Sequence, residues 1–302
     1  MWAARAELCR TKESRYNSLV PIALRARGRA VKKNAIVPTL LTLGNAVCGL
    51  AAIAYASRIG KADSTAEMDR FFMAASGWLI GAAMIFDTLD GFFARLFKAA
   101  GRFGAELDSL CDAISFGAAP AFLLLQLGPG RDQPLLHQTL AAVATLYMMC
   151  AILRLARFNV ELVEGSKRFK GLPSPAAAGC IATLAVARGM LHSRLPEWDT
   201  PAIETFLEVW ATLGAVFVAV LMVSNVGYPH LTKQVIKQVM QMIRGKRALP
   251  WTVIAFVVLC GIVFREFVFV LAFWMYATSF LVRAVVKRAN RQRAYADEVL
   301  PQ

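Results

Sequence analysis

Repeated apolar runs of membrane-spanning length constrain this 302-residue chain more than any other feature. A transmembrane helix needs about 20 mostly apolar residues. Eight stretches meet or approach that length: 36–57, 72–94, 105–127, 138–157, 172–190, 203–225, 249–264 and 266–284. No water reaches the bilayer core to satisfy backbone N–H and C=O groups, so continuous runs of this kind cross as helices. The expected fold is an all-α integral membrane protein with about eight transmembrane helices. The last two runs are parted only by Arg265-Glu266. Together they are too long for one crossing, so a tight outer turn is expected between them. The composition agrees, with 57% hydrophobic and only 18% charged residues.

The charges that remain are unevenly placed. Lys and Arg number 34 against 20 Asp and Glu. Such an excess suits nucleic acid or anionic lipid. The bases sit beside apolar runs, and neither an RNA-binding signature nor zinc-finger spacing is present. Membrane lipid headgroups are therefore the expected partner, and no nucleic acid is. Basic clusters occupy the segment before Ile36, the second connection (Arg95, Lys98, Arg102), the fourth (Arg154, Arg157, Lys167, Arg168, Lys170), the sixth and the C-terminal tail. The alternate connections are balanced or acidic, as with Glu197, Asp199 and Glu204. The positive-inside rule then puts both termini and every basic connection on the cytoplasmic side of the cell (inner) membrane. Segment 14–33 reads either as an interfacial amphipathic helix interrupted by Pro21 or as a basic tail. The first apolar run begins too late for a cleavable signal peptide. The six cysteines lack CxxC spacing and lie mostly in apolar runs, where they act as small apolar residues.

Four acids stand where lipid disfavours them: Asp87, Asp90, Asp108 and Asp112. Ionisable residues inside membrane segments are costly and mark function. Asp87 and Asp90 lie three apart on one face of the second helix, and Asp108 and Asp112 four apart on one face of the third. The short connection 96–103 makes these helices a hairpin, so the two pairs can meet. Four carboxylates in close quarters repel, and they must take up protons or hold cations. Oxygen ligands suit Mg²⁺ or Mn²⁺, and two such ions would clamp a phosphoryl group. Gly91 and Gly104 leave room for a bulky ligand, and Arg95 can grip a phosphate. The competing account makes the acids ordinary cap and loop residues paired with Arg95 and Arg102. No Ser-His or Cys-His pair points to a covalent intermediate. A cation pathway would spread acids through the membrane depth, whereas these cluster at one cytoplasmic depth.

Asp87-Thr88-Leu89-Asp90-Gly91, Ala94-Arg95, Gly104, Asp108 and Asp112 together resemble the signature of the CDP-alcohol phosphatidyltransferase family, D-x2-D-G-x2-A-R-x8-G-x3-D-x3-D. Every fixed position matches. The resemblance implies six core helices around a polar cavity open to the cytoplasm, often in a homodimer. It implies that Asp87, Asp90 and Asp108 bind metal. Asp112 would complete a second metal site and act as general base. Gly91, Arg95 and the start of the third helix, with Gly101 and Gly104, would hold the CDP moiety. Thr42 and Asn45, three apart on the first helix, fall in the region that contacts the cytidine end in the family. The chain then divides into a basic N-terminal segment (1–33), a transferase core (34–230), and a basic loop with two further helices and a basic tail (231–302).

The acceptor is read from softer features. Ser115-Phe116-Gly117, the run Arg154 to Asn159, and Phe169-Lys170-Gly171-Leu172-Pro173-Ser174-Pro175 resemble the branch of the family whose acceptor is L-serine. They are less similar to the branches using glycerol 3-phosphate or inositol phosphate. Free serine is a zwitterion and needs a cation for its carboxylate and an acceptor for its ammonium. Arg154, Arg157 and Lys170 offer cations and Asn159 an acceptor, with Ser115 a further candidate. The same bases also serve the positive-inside bias. The expected substrates are CDP-diacylglycerol and L-serine.

Overall fold

The computed structural model describes residues 36–61, 63–97, 101–127, 134–163, 171–194, 200–224 and 268–279. The expected span 249–264, segment 14–33, parts of the final span and Lys170 lie outside the described residues. All regular structure within them is helical.

Six helical spans are long and apolar enough to cross a membrane, so the chain is an integral membrane protein. They comprise α1 (Ile36–Ala56), α2 (Ala66–Leu96), a composite third span, α5 (Pro134–Val163), α6 (Ser174–Arg194) and α7 (Pro201–Val223). A shorter apolar helix, α8, covers Val268–Ser279. The expected total of eight crossings is thus seen as six spans and one short helix among the described residues. Helix α2 begins six residues before the apolar run that foretold it. Thr65 caps it by accepting from the Met68 amide at 3.3 Å, and Glu67 and Asp69 sit in its first turn. Those acids end the apolar run while favouring the helix N-terminus.

The third span is not one regular helix. It runs as α3 (Arg102–Asp112), a π-helical turn (Ala113–Ala118) and α4 (Ala119–Leu127). Pro120 has no N–H to give the carbonyl four residues back, that of Phe116. The buried Tyr147 hydroxyl of α5 donates to that carbonyl instead, at 3.0 Å. Single π turns of this kind recur at functional sites.

Small residues set the packing, as expected where lipid removes the usual hydrophobic drive between helices. Ala176 to Cys180 of α6 are all buried. Gly77 of α2 lies so close to α6 that a Cβ would sit 2.6 Å from the Ala182 carbonyl. Ser76 donates to the Ala52 carbonyl at 2.8 Å, joining α2 to α1. Helix α8 lies against Gly179 and Gly214, where any Cβ would collide with Phe273 and Trp274. The Trp274 indole donates to the Cys180 carbonyl at 3.3 Å. Gly171, before α6, has φ +83° and touches the Met222 carbonyl, a position only glycine fills without strain. Leu40, Val47 and Leu50 of α1 point outward, as lipid-facing residues do.

Candidate active site

The last turns of α2 and the whole of α3 bring three acids together. Ligand oxygens from Asp87, Asp90 and Asp108 all lie within 4.8 Å of one another. Asp90 is buried, and the other two are half-buried. Asp90 Oδ2 and Asp108 Oδ1 are buried without a hydrogen-bond partner. Neither oxygen is engaged as the side chain of a helix cap would be. A buried, unpaired carboxylate oxygen carries a large desolvation cost. Three oxygen donors converging with spare lone pairs suit a hard divalent cation.

Asp112 closes α3 one turn beyond Asp108 and is not among those three. Its Oδ1 accepts from Asn45 Nδ2 at 3.0 Å. Asn45 is itself fully buried. Ser115, also fully buried, donates to the Asn45 carbonyl at 2.9 Å. Thr42 donates to the Pro38 carbonyl at 3.0 Å and sits beside the Asp90 carboxylate.

On the opposite side, α5 contributes Arg154. Its guanidinium donates to Ser174 Oγ and lies 5.5 Å from the centre of the Phe158 ring. It is also close enough to interact electrostatically with Asp112 and Asp87. Asn159 is tied to α3, donating to Ser109 Oγ at 3.0 Å. Arg157 points elsewhere, to the Val223 carbonyl at 3.5 Å. Arg95 is exposed in the last turn of α2, and Gly101 is exposed before α3. A Cβ at Gly91 or Gly104 would meet nothing within 4 Å, so both glycines border open space.

The spaced acids and glycines of this hairpin fall inside a longer match. Residues 35–221 match the profile of the CDP-alcohol phosphatidyltransferase family. The chain belongs to this family.

Curated relatives of this transferase narrow the comparison. It is 34% identical over 202 residues to a CDP-diacylglycerol–serine O-phosphatidyltransferase of Helicobacter pylori, covering 66% of this chain and 73% of that one. It is 37% identical over 158 residues to a Mycobacterium bovis protein of the same name, covering 50% and 49%. It is 36% identical over 154 residues to an archaetidylserine synthase of Methanothermobacter thermautotrophicus, covering 49% and 55%.

Several site features of this transferase were not foreseen from sequence. The Ser109–Asn159 bond, the Arg154–Ser174 bond and the Tyr147 support of the π turn are contacts between distant helices. Tyr147, a phenol within an apolar run, and Pro120, a proline within a span, were the signals available for the π turn.

Proposed function

We propose that this transferase moves the phosphatidyl group of CDP-diacylglycerol onto L-serine, forming phosphatidylserine and releasing CMP. The observation that carries the chemistry is the three-acid cluster of Asp87, Asp90 and Asp108 with Asp112 and Arg154 beside it. The names of the relatives support serine as the acceptor.

In this reading Asp87, Asp90 and Asp108 hold Mg²⁺ or Mn²⁺, with Asp112 able to add a ligand to a second ion. When bound, the metal offsets negative charge developing on the transferring phosphate oxygens. The open space beside Gly91 and Gly104 admits the CDP moiety, and exposed Arg95 pairs with its pyrophosphate, with Gly101 and Thr42 at its edge. Arg154 takes the serine carboxylate, and its bond to Ser174 and its place over Phe158 hold the guanidinium in one orientation. Asn159 is the candidate acceptor for the ammonium, and Arg157 and Lys170 remain second-rank acceptor contacts, whereas Ser115 is fully buried with its hydroxyl on the Asn45 carbonyl. Asp112 takes the proton from the serine hydroxyl. The hydroxyl oxygen bonds to the lipid-side phosphorus as that phosphorus loses its bond to the CMP oxygen, and CMP leaves.

We place the catalytic core at 34–230, with 1–33 and 231–302 as basic cytoplasmic and accessory segments. We place the protein in the inner membrane with both termini cytoplasmic, as a homodimer. The test is CMP release from CDP-diacylglycerol with Mn²⁺ or Mg²⁺, offering serine, glycerol 3-phosphate or inositol phosphate singly. Serine-dependent release is expected. Release with another acceptor would keep the acid cluster and overturn the acceptor assignment. In the same assay Asp112→Asn should lose turnover, and a fully active variant would remove the general-base assignment.

A further inference from the structure

Asn45 belongs to a stretch of α1 expected to meet the nucleotide, yet its side chain is turned to Asp112. An ionised carboxylate only accepts, so the amide must present its nitrogen, and Nδ2 stands 3.0 Å from Asp112 Oδ1. Asn45 is completely buried, and its amide oxygen has no hydrogen-bond partner, so its polar engagement in the structure is through Nδ2 and the backbone.

The contact is one half of a clamp. The Asn45 carbonyl accepts from Ser115 Oγ at 2.9 Å. One turn further along α1, Gly49 lies against Ser115, where a Cβ would sit 2.7 Å from the Ser115 Cα. Asp112 and Ser115 straddle the start of the π turn, and both engage the same residue of α1. The position matters because a π turn departs from regular pairing. Asp112 itself has regular helical backbone angles, φ −62° and ψ −37°, so what is left to fix is the rotation of its side chain. The Asn45 contact supplies that tie.

We propose that Asn45 is a positioning residue for the transfer reaction. It fixes Asp112 Oδ1 so that the second oxygen, Oδ2, faces the acceptor hydroxyl. This rests on the reading of Asp112 as general base. Ser115 holds the Asn45 backbone in place for the same purpose, and its buried hydroxyl acts through this bond rather than on the acceptor. Small errors in aim are expensive, since a misplacement of about 1 Å can cost on the order of 10²-fold in rate.

The test uses the full-length protein in detergent, with kcat, KM for serine and for CDP-diacylglycerol, and the inhibition constant of CMP measured for each variant. Asn45→Leu keeps most of the bulk and removes the donor. Its kcat should fall about 100-fold, with both KM values and CMP inhibition within about 3-fold of the parent. Loss of packing alone would lower the yield of folded protein without producing that split. Weakened CMP inhibition at unchanged kcat would make Asn45 a nucleotide contact and overturn the proposal, as would parental kinetics throughout. Should Asn45→Leu fail to fold, Ser115→Ala decides. A kcat loss with intact CMP inhibition supports the clamp, and parental turnover overturns it. Asp112→Asn is measured in parallel to separate the two levels of the argument. If it is inactive while Asn45→Leu turns over normally, the general base stands and the proposal fails. If it is active while Asn45→Leu is not, the base reading fails, and the positioning role fails with it.

Discussion

Replacing Asp108 with Asn should make the metal-free protein more stable and the metal-loaded protein less so. The ligand oxygens of Asp87, Asp90 and Asp108 lie within 4.8 Å of one another. Two unit charges at that separation repel by about 3.5 kcal/mol at an effective dielectric of about 20. Removing one acid relieves two of the three repulsions, about 7 kcal/mol at that separation before solvent screening. Asp87 and Asp108 are only half-buried, so solvent screens much of this, and a gain of about 1–2 kcal/mol is expected. Asn also supplies a donor where Asp108 Oδ1 now has no partner. At about 2 °C per kcal/mol for a larger chain, the midpoint in chelator should rise by about 2–4 °C. The parent should gain about 2.7 kcal/mol from Mn²⁺ at roughly 100 times its dissociation constant, and the variant little of that. The two melting curves therefore change order between chelator and Mn²⁺. The assay is thermal unfolding in detergent at one fixed scan rate, because membrane proteins seldom unfold reversibly. A variant that melts no higher than the parent in chelator, or that gains as much from Mn²⁺, would refute the cluster as a cation site.

Two further outcomes concern the helix contacts. Gly214→Ala should force Trp274 out of its seat, costing about 1–3 kcal/mol, read as a lower midpoint together with a shifted tryptophan emission. Arg188 of α6 bonds both the Leu127 carbonyl and Glu208 of α7, the latter at 2.9 Å. Arg188→Met should cost about 3–5 kcal/mol by stranding Glu208, and adding Glu208→Gln should recover most of it. A double variant no more stable than Arg188→Met would show that the stranded charge is not the cause.

What the sequence made legible follows from which forces act locally. Lipid imposes its rule residue by residue, so the six long spans are visible as apolar runs. The spacing of Asp87, Asp90 and Asp108 fixes their helix faces, and a short connection then leaves those faces no choice but to meet. The apolar run 72–94 is shorter than helix α2 because hydropathy stops at Glu67 and Asp69, while helical pairing continues to the Thr65 cap. Asn45 shows the opposite limit. Its place on α1 with Thr42 was plain, but its partner lies 67 residues away. Nothing along α1 says which neighbour will cover that face. The π turn was equally hidden, because Pro120 signals only a missing donor and not where Tyr147 will stand.

Helix α3 joins these observations. Phe103 and Leu110 are 69% and 66% exposed, and of its larger apolar side chains only Leu107 and Cys111 turn toward the protein. Its inward face instead holds Asp108 against the α2 acids, Ser109 against Asn159 of α5, and Asp112 against Asn45 of α1. A helix held mainly by polar ties has its position set by them, since hydrogen bonds and ion contacts are directional where apolar packing is not. One of those ties is repulsive until a cation neutralises it. Cation binding should therefore order α3 as well as charge the site, and amide exchange in residues 102–112 should slow when Mn²⁺ is added, while exchange in α6 stays unchanged. Equal protection of α3 with and without the ion would mean that the two remaining ties suffice to hold it.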